Sequence, residues 1–290
     1  MADKQNIQWF PGHMTKAIRR IKESLRMVDL VAEIVDARLP QSSRNPDIDA
    51  LVKNKPRIVL LNKCDMANPN VTAMWVNYFN SKNIKAIPVD CKSGKGVKQF
   101  LPAVRDIMKP SIDKWQQSGM IGRGIRIMIV GIPNVGKSSF INKLAGKTRA
   151  RAEDRPGVTR GNQWYTIDGN IELLDTPGVL WPKFDDPEVG EKLAFTGAVK
   201  DQILDIELLA VRLLEVFQEC PNQFFIERFK LQNTNLNDYT PYELLELVGR
   251  KRGMLISGGE VDTERAANVL LDEYRGGKLG KVSLELPPRG

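Results

Sequence analysis

Apolar residues fall along this chain in two rhythms. Up to residue 182, short runs rich in Val, Ile and Leu alternate mostly with amphipathic segments of helix length. The runs are "LVAEIVD", "RIVLLNK", "AIPVD", "IRIMIVG", "QWYTID" and "IELLD". Runs that are apolar at nearly every position suit strands covered on both faces, so the alternation predicts an α/β domain with a mostly parallel sheet and helices on both sides. The last two runs are the exception. Asp168-Gly169 between them predicts a tight hairpin and an antiparallel pair.

Beyond "DTPGVLWPKFDDPEVG" the period becomes helical. "DQILDIELLAVRLLEVFQE" repeats its apolar positions at helix spacing. "TPYELLELVGRKRG" opens with Thr240 as N-cap, Pro241 in the first helical position and Glu243 closing a capping box. "DTERAANVLLDEYRGG" is a further helix, stopped by Gly276 and Gly277. Two domains are therefore expected: 1–182, built on the sheet, and a smaller helical one at 183–290.

Composition narrows the function classes. Apolar residues make up 42% of the 290 and charged residues 27%, as in ordinary globular chains. No apolar run approaches the roughly 18 residues that a membrane helix needs, and the opening "MADKQN" is polar, so a cytoplasmic protein without membrane attachment is expected. Cys64, Cys91 and Cys220 form no C-x-x-C pair and suggest neither a disulfide framework nor zinc. The net charge of +8 is uneven: residues 1–182 hold 29 Lys and Arg against 16 Asp and Glu, the remainder 14 against 19. A polyanion such as RNA is a plausible partner for the first part, although solubilising lysines would give the same count.

The chemistry lies at the strand ends. "GIPNVGKS" fits G-x-x-x-x-G-K-S between the strand "IRIMIV" and a helix. Gly131 and Gly136 permit a turn whose N–H groups face phosphate oxygens, with Asn134, Val135 and Ser139 completing the cradle. Lys137 reaches the outer phosphates, and Ser138 offers a hydroxyl to Mg²⁺. "LLDTPGV" puts Asp175 where a carboxylate holds Mg²⁺ through water, and Gly178 where an N–H senses a γ-phosphate. In "RPGVTRG", Thr159 is the candidate for a second Mg²⁺ hydroxyl. "LLNKCD" offers Asp65 to the ring N–H and amine of guanine, with Asn62 and the Lys63 stem lining the base. Adenine lacks that pair of donors, and sites of this kind discriminate by roughly 10⁴. "VDCKSGKG" brings Asp90, Cys91 and Lys92 to the back wall of the base, where Ser-Ala-Lys is usual. These motifs predict GTP and GDP as ligands with Mg²⁺.

Their order is unusual, because Asp65 precedes Lys137. The fold is read as a circularly permuted P-loop GTPase domain joined through "KPSIDKWQQSGMIGRG". This order, with "DARLPQSSRNP", "WFPGHM" near the start and a helical tail, resembles the circularly permuted GTPases, most closely the bacterial ribosome biogenesis GTPase A (YlqF) family. The resemblance covers nearly the whole chain. It implies GTP hydrolysis coupled to late maturation of the large ribosomal subunit, with rRNA as partner and a helical domain similar to RNA-binding modules. Sister families carry an added barrel or zinc finger that this chain lacks.

Many GTPases align the attacking water with a glutamine directly after D-x-x-G. Here Val179 stands there and cannot hydrogen-bond. The resemblance implies that the histidine of "PGHM", His13, supplies this group, and a mostly neutral imidazole suits the task. It could equally cap the helix "TKAIRRIKESLRM" or touch RNA. Asn134 resembles the asparagine of K⁺-activated GTPases. Basic residues cluster on that first helix (Lys16, Arg19, Arg20, Lys22, Arg26), around Thr159 (Lys147, Arg149, Arg151, Arg155, Arg160), and in the second domain at Arg250-Lys251-Arg252 and Arg275, Lys278, Lys281. The oligomeric state is open, with a monomer expected.

Overall fold

The computed structural model describes residues 13–52, 55–146, 151–153, 163–180, 186–199, 201 and 204–288. Thr159, with Lys147, Arg149, Arg155 and Arg160, lies outside the described residues, as do the side chains of His13, Met14 and Arg151.

Residues 13–180 form one compact unit together with 283–288, and 186–282 form another. The first unit is built on a seven-stranded sheet of order β3-β2-β1-β4-β7-β6-β5. Its strands are β1 (Leu30–Asp36), β2 (Arg57–Asn62), β3 (Lys85–Pro88), β4 (Ile125–Val130), β5 (Arg151–Glu153), β6 (Gln163–Ile167) and β7 (Ile171–Asp175). All six runs read from the sequence are strands. β1 is buried at every position, as a central parallel strand should be. β1 to β4 and β7 run parallel. β6 and β7 are joined by the expected hairpin, through a three-residue loop in which Asp168 (φ 52°) and Gly169 (φ 77°) both take the left-handed conformation. β5, which adds an antiparallel edge beside β6, was not expected, because its three residues carry too short a pattern to separate from a loop.

Register determines where the strands stop. Asp36 pairs with Asn62, Leu61 with Pro88, Glu33 with Val130 and Ile129 with Asp175. The motif residues thus converge on the carboxyl edge of the sheet, where open α/β folds bind ligands. Around it lie α1 (His13–Leu25), α2 (Pro46–Leu51), α3 (Pro69–Ser81), α4 (Phe100–Gln117) and α5 (Lys137–Ala145). α1 turns Ile18, Ile21 and Leu25 into a core shared with Val31, Met128, Val130, Trp164, Leu174 and Val179. Its Lys16, Arg19, Arg20, Lys22 and Arg26 are exposed.

The join needs a correction. The segment read as the join starts at Lys109, yet α4 runs through Pro110 to Gln117. Phe100, Ala103, Val104 and Met108 bury the preceding turns, which offsets the roughly 3 kcal/mol that an interior proline costs. Only 118–124 is connection.

The second unit contains α6 (Pro187–Phe195), α7 (Ile206–Glu219), α8 (Gln223–Arg228), α9 (Pro241–Lys251) and α10 (Thr263–Arg275). α9 carries the expected capping box, and Asp205 and Asp262 cap α7 and α10. Leu213, Phe217, Leu244, Val248, Ala266 and Leu270 are fully buried. α6 and α8 were overlooked, although Asp186-Pro187 and Asn222 are N-cap signals. The boundary at 290 is also corrected. Residues 283–288 belong with the sheet unit, because their polar groups bond to it: the Leu284 N–H donates to the Arg38 carbonyl at 2.7 Å.

Two residues expected to meet RNA have other work. The Arg275 guanidinium grips Asp201 through two bonds of 2.7 Å and donates to the carbonyls of Ala194 and Phe195. Arg252 donates to Glu273 at 2.8 Å and lies over the Phe229 ring. Arg250, Lys251, Lys278 and Lys281 remain exposed.

Candidate nucleotide site

The phosphate loop leaves β4 at Gly131 and enters α5 at Lys137. A Cβ on Gly131 (φ 154°) would lie 2.5 Å from the Ile34 carbonyl oxygen, and one on Gly136 (φ 104°) would collide with the Asn62 amide. Only glycine lets this loop hug the neighbouring strand ends. Asn134 stands exposed at the apex of the loop in the left-handed region (φ 57°), while Val135 is buried beneath it. Ser138 and Ser139 open the first turn of α5 and are exposed. The N–H groups of a helix's first turn suit an anion, with the helix dipole behind them.

Lys137 is buried and donates to the carbonyls of Gly131 (3.2 Å) and Ile132 (2.9 Å). Burial pushes its ammonium down to about 8, against the opposing pull of Asp175. Asp175 in turn is pushed up by burial, while Lys137 and the Thr176 N–H hold it back. Its Oδ1 is buried with no hydrogen-bond partner. An orphaned carboxylate oxygen is expensive, and it fits the water shell of a hydrated divalent cation.

Beyond Asp175 the chain turns toward the phosphate loop. The Thr176 hydroxyl donates to the Ile129 carbonyl at 2.6 Å. A Cβ on Gly178 would lie 2.8 Å from the Pro133 backbone and 2.9 Å from Lys137 Nζ, so glycine is required for this approach. Val179 follows with its side chain in the apolar core that also anchors α1, and its carbonyl accepts from Asn45 at 3.4 Å.

The base side is differently made. Asn62 is 3% exposed, and both ends of its amide are engaged: Nδ2 donates to the Val135 carbonyl (2.7 Å) and Oδ1 accepts the Cys91 N–H (3.1 Å). Expected to line the base, it brackets the phosphate loop to the β3 loop. Asp90 is engaged within its own loop. Its carboxylate accepts the N–H groups of Lys92 (2.8 Å) and Ser93 (3.2 Å). Burial pushes that carboxyl up, and the hydrogen bonds from Ser93 and Lys92 more than reverse it. Cys91 is buried, its thiol pushed up to about 12 by burial, and Lys92 is exposed. Lys63 takes a left-handed backbone (φ 59°), and its ammonium sits 3.0 Å from Asp36. Asp65 is exposed at the mouth.

Asp36 and Arg38 were quoted from the sequence but given no role. Arg38, 1% exposed, donates to both Asp36 oxygens at 2.9 and 2.7 Å. Burial raises the Asp36 carboxyl, yet Arg38 and Lys63 outweigh it and hold the group well below the usual carboxylate range. The available signal was "VDAR" at a strand end, two like-placed opposite charges beside the strand that carries Asn62.

The strand ends therefore assemble a phosphate-binding loop, an acidic group beside its lysine and a separate base-side wall. The family model of the 50S ribosome-binding GTPases matches residues 126–244. Ribosome biogenesis GTPase A of Bacillus cereus is 48% identical over 97% of this chain and 94% of its own. The chain belongs to the ribosome biogenesis GTPase A family. The family member from Thermotoga maritima is 34% identical over 97% of this chain and 95% of its own. Two solved structures are similar at 31% identity: GDP-bound YlqF (TM-score 0.68, covering 93% of this chain and 99% of that one) and GNP-bound YlqF from T. maritima (TM-score 0.66, 93% and 98%). Membership makes this chain a guanine-nucleotide-binding GTPase of ribosome biogenesis. The motifs expected to bind the base, Asn62 to Asp65 and Asp90 to Lys92, lie before the matched segment, and the phosphate motifs lie within it.

Proposed function

We propose that this GTPase is a late assembly factor of the large ribosomal subunit whose hydrolysis is switched on when it binds that particle. The observation that carries the reading is Val179. The residue after D-T-P-G is 1% exposed and packed among apolar side chains, so this position supplies no group to align water. The enzyme on its own is therefore slow, and a partner completes the site.

His13 is the group proposed to be completed. It is the first residue of α1, and α1 is anchored in the same core as Val179. That shared anchor supports a role for the imidazole near the sensing segment, accepting a hydrogen bond from water as its oxygen attacks the γ-phosphorus. The bond from that phosphorus to the β–γ bridging oxygen breaks, and GDP and phosphate leave. Lys137 releases the carbonyls of Gly131 and Ile132 to meet the β- and γ-phosphates, and the Gly178 N–H reads the γ-phosphate. Asp65 selects guanine by accepting two N–H bonds. Ser138, Asp175 and Thr159 would hold Mg²⁺, which neutralises charge on the phosphates when bound. Asn134 would contribute an oxygen to K⁺. The exposed basic face of α1 supplies phosphate contacts to rRNA, and the protein works as a cytoplasmic monomer. The motif order is that of a circular permutation, which leads the sensing segment directly into the helical unit.

The test is single-turnover hydrolysis in K⁺ buffer by wild type and His13→Ala, alone and with large or small subunits. Stimulation by the large subunit only, lost in the alanine variant while binding persists, is expected. Equal stimulation of both proteins would make His13 structural. A second reading, in which the GTP state gates binding and hydrolysis is incidental, is also favoured by the buried Val179. It predicts no stimulation by either subunit.

A further inference from the structure

The base-side wall is braced by residues that lie beyond the helical unit in sequence. Ser283 Oγ accepts the Asn68 N–H at 3.1 Å, and the Leu284 N–H donates to the Arg38 carbonyl at 2.7 Å. The Glu285 carboxylate accepts the N–H groups of Gln41 (2.9 Å) and Ser42 (3.1 Å) and the Ser42 hydroxyl, while its carbonyl accepts Trp75 Nε1 at 3.2 Å. Trp75 is fully buried. These bonds take up donors on the β1–α2 turn and at the start and middle of α3.

The two anchor points flank the segment that carries Asp65. At one end, the Ala37 N–H holds the Asn62 carbonyl (2.8 Å), and Arg38 fixes Asp36, which holds Lys63. At the other, Asn68 caps α3 through its own side chain while its backbone N–H is tied to Ser283. Lys63 lies in a left-handed conformation that a non-glycine residue adopts at a cost of roughly 1–2 kcal/mol, so segment 62–68 keeps its shape only if both ends are held.

We propose that Ser283–Glu285 form a positioning strap for guanine recognition, holding Asp65 at the geometry that pairs two donors of the base. These hydrogen bonds of the strap go to the β1–α2 turn and α3, so its loss falls on base selection. The helical unit is thereby tethered through the chain at both ends, to the γ-phosphate-sensing segment before residue 186 and to the base wall after residue 282. The inference rests on the assignment of Asp65 to guanine made above.

The test uses the full chain with Ser283→Ala/Glu285→Ala and, should that variant fold poorly, Glu285→Gln. Dissociation constants are measured for fluorescent GDP and for the inosine analogue, which lacks the amino group that Asp65 would bind. Wild type should prefer GDP by about tenfold or more. The strap variants should lose most of that preference, while single-turnover hydrolysis at saturating GTP stays within about twofold. Equal weakening of both nucleotides, or an unchanged preference, would overturn the strap. Asp65→Asn separates the two ideas. If it abolishes the preference while the strap variants keep it, the strap alone falls. If it leaves the preference intact, the base assignment falls and the strap with it. Leu286→Ala, at an exposed position on the same segment, should behave as wild type.

Discussion

The two halves of the nucleotide site are finished to different degrees. On the phosphate side, Lys137 is buried against two carbonyls and Asp175 keeps an oxygen without a partner. On the base side, both ends of the Asn62 amide, the Asp90 carboxylate and the Asp36–Arg38–Lys63 cluster are all paired within the protein. The phosphate half holds a buried cation that a polyanion relieves and an unpaired carboxylate oxygen that suits a hydrated cation. The base half is a frame paired within the protein, beside which stands the exposed Asp65, the residue proposed to meet guanine. Binding strength and base choice are thus stored in different places, one as unsatisfied charge and the other as pre-organised geometry.

The largest test of that contrast is Lys137→Met. Hydrolysis should fall by about 10²–10³-fold or more, because the donor to the transferring phosphoryl group is gone. The nucleotide-free protein should nevertheless become more stable, by on the order of 1–3 kcal/mol at pH 7, since a buried cation is replaced by an apolar chain. The sign with pH follows from a folded value of about 8, below the ordinary 10.5. Between those values the unfolded chain binds more protons, so wild-type stability rises with pH across that window and the advantage of the variant shrinks. Melting curves at pH 7 and pH 10 check this. A variant less stable than wild type at pH 7 would contradict the claim of stored charge.

Asn62→Ala should act in the opposite sense on stability. It strands the Val135 carbonyl and the Cys91 N–H together, at a cost of about 2 kcal/mol, and lowers the denaturation midpoint with or without nucleotide. Faster release of GDP should accompany it. Normal stability with impaired binding would mean that Asn62 touches the base after all.

A smaller effect is expected in the helical unit, where charge is paired for structure alone. Glu273 accepts from Arg228 at 2.9 and 2.6 Å and from Arg252 at 2.8 Å, and the hydrogen bonds from Arg228 hold its carboxyl below the ordinary value. Glu273→Gln should cost about 1 kcal/mol at neutral pH after solvent screening, with GDP affinity unchanged. Because the folded value is depressed, this contribution is complete above the ordinary carboxylate value and is lost as pH falls below it through the lowered folded value. A cost that does not change with pH would point to packing instead.

Much of this was legible in the sequence, for identifiable reasons. Strong β-branched runs gave the six principal strands, and the capping box of Thr240 and Glu243 marked α9 to the residue. Lys137, Asp175 and Gly178 meet because their spacing encodes a strand, a turn and a helix in a fixed relation. The hydrogen bonds that Asn62 and Asp90 make within the protein were not legible, because a motif names residue types without naming the partners of each side chain. Asp36 and Arg38 passed without a role, and the strap was invisible, because pairings such as Ser42 with Glu285 span more than 240 residues and leave no local pattern. Charge counting marks Arg275 and Arg252 as RNA contacts because it does not reveal the partners each has within the helical unit.

The most direct test is hydrogen exchange of the full chain with and without GDP. Unfinished and finished halves predict a strong gain of protection in residues 131–138, and little change in 62–68 and 90–93, which are already protected in the free protein. Comparable gains in both halves would show that the base wall is assembled by the nucleotide, and the contrast drawn here would fail.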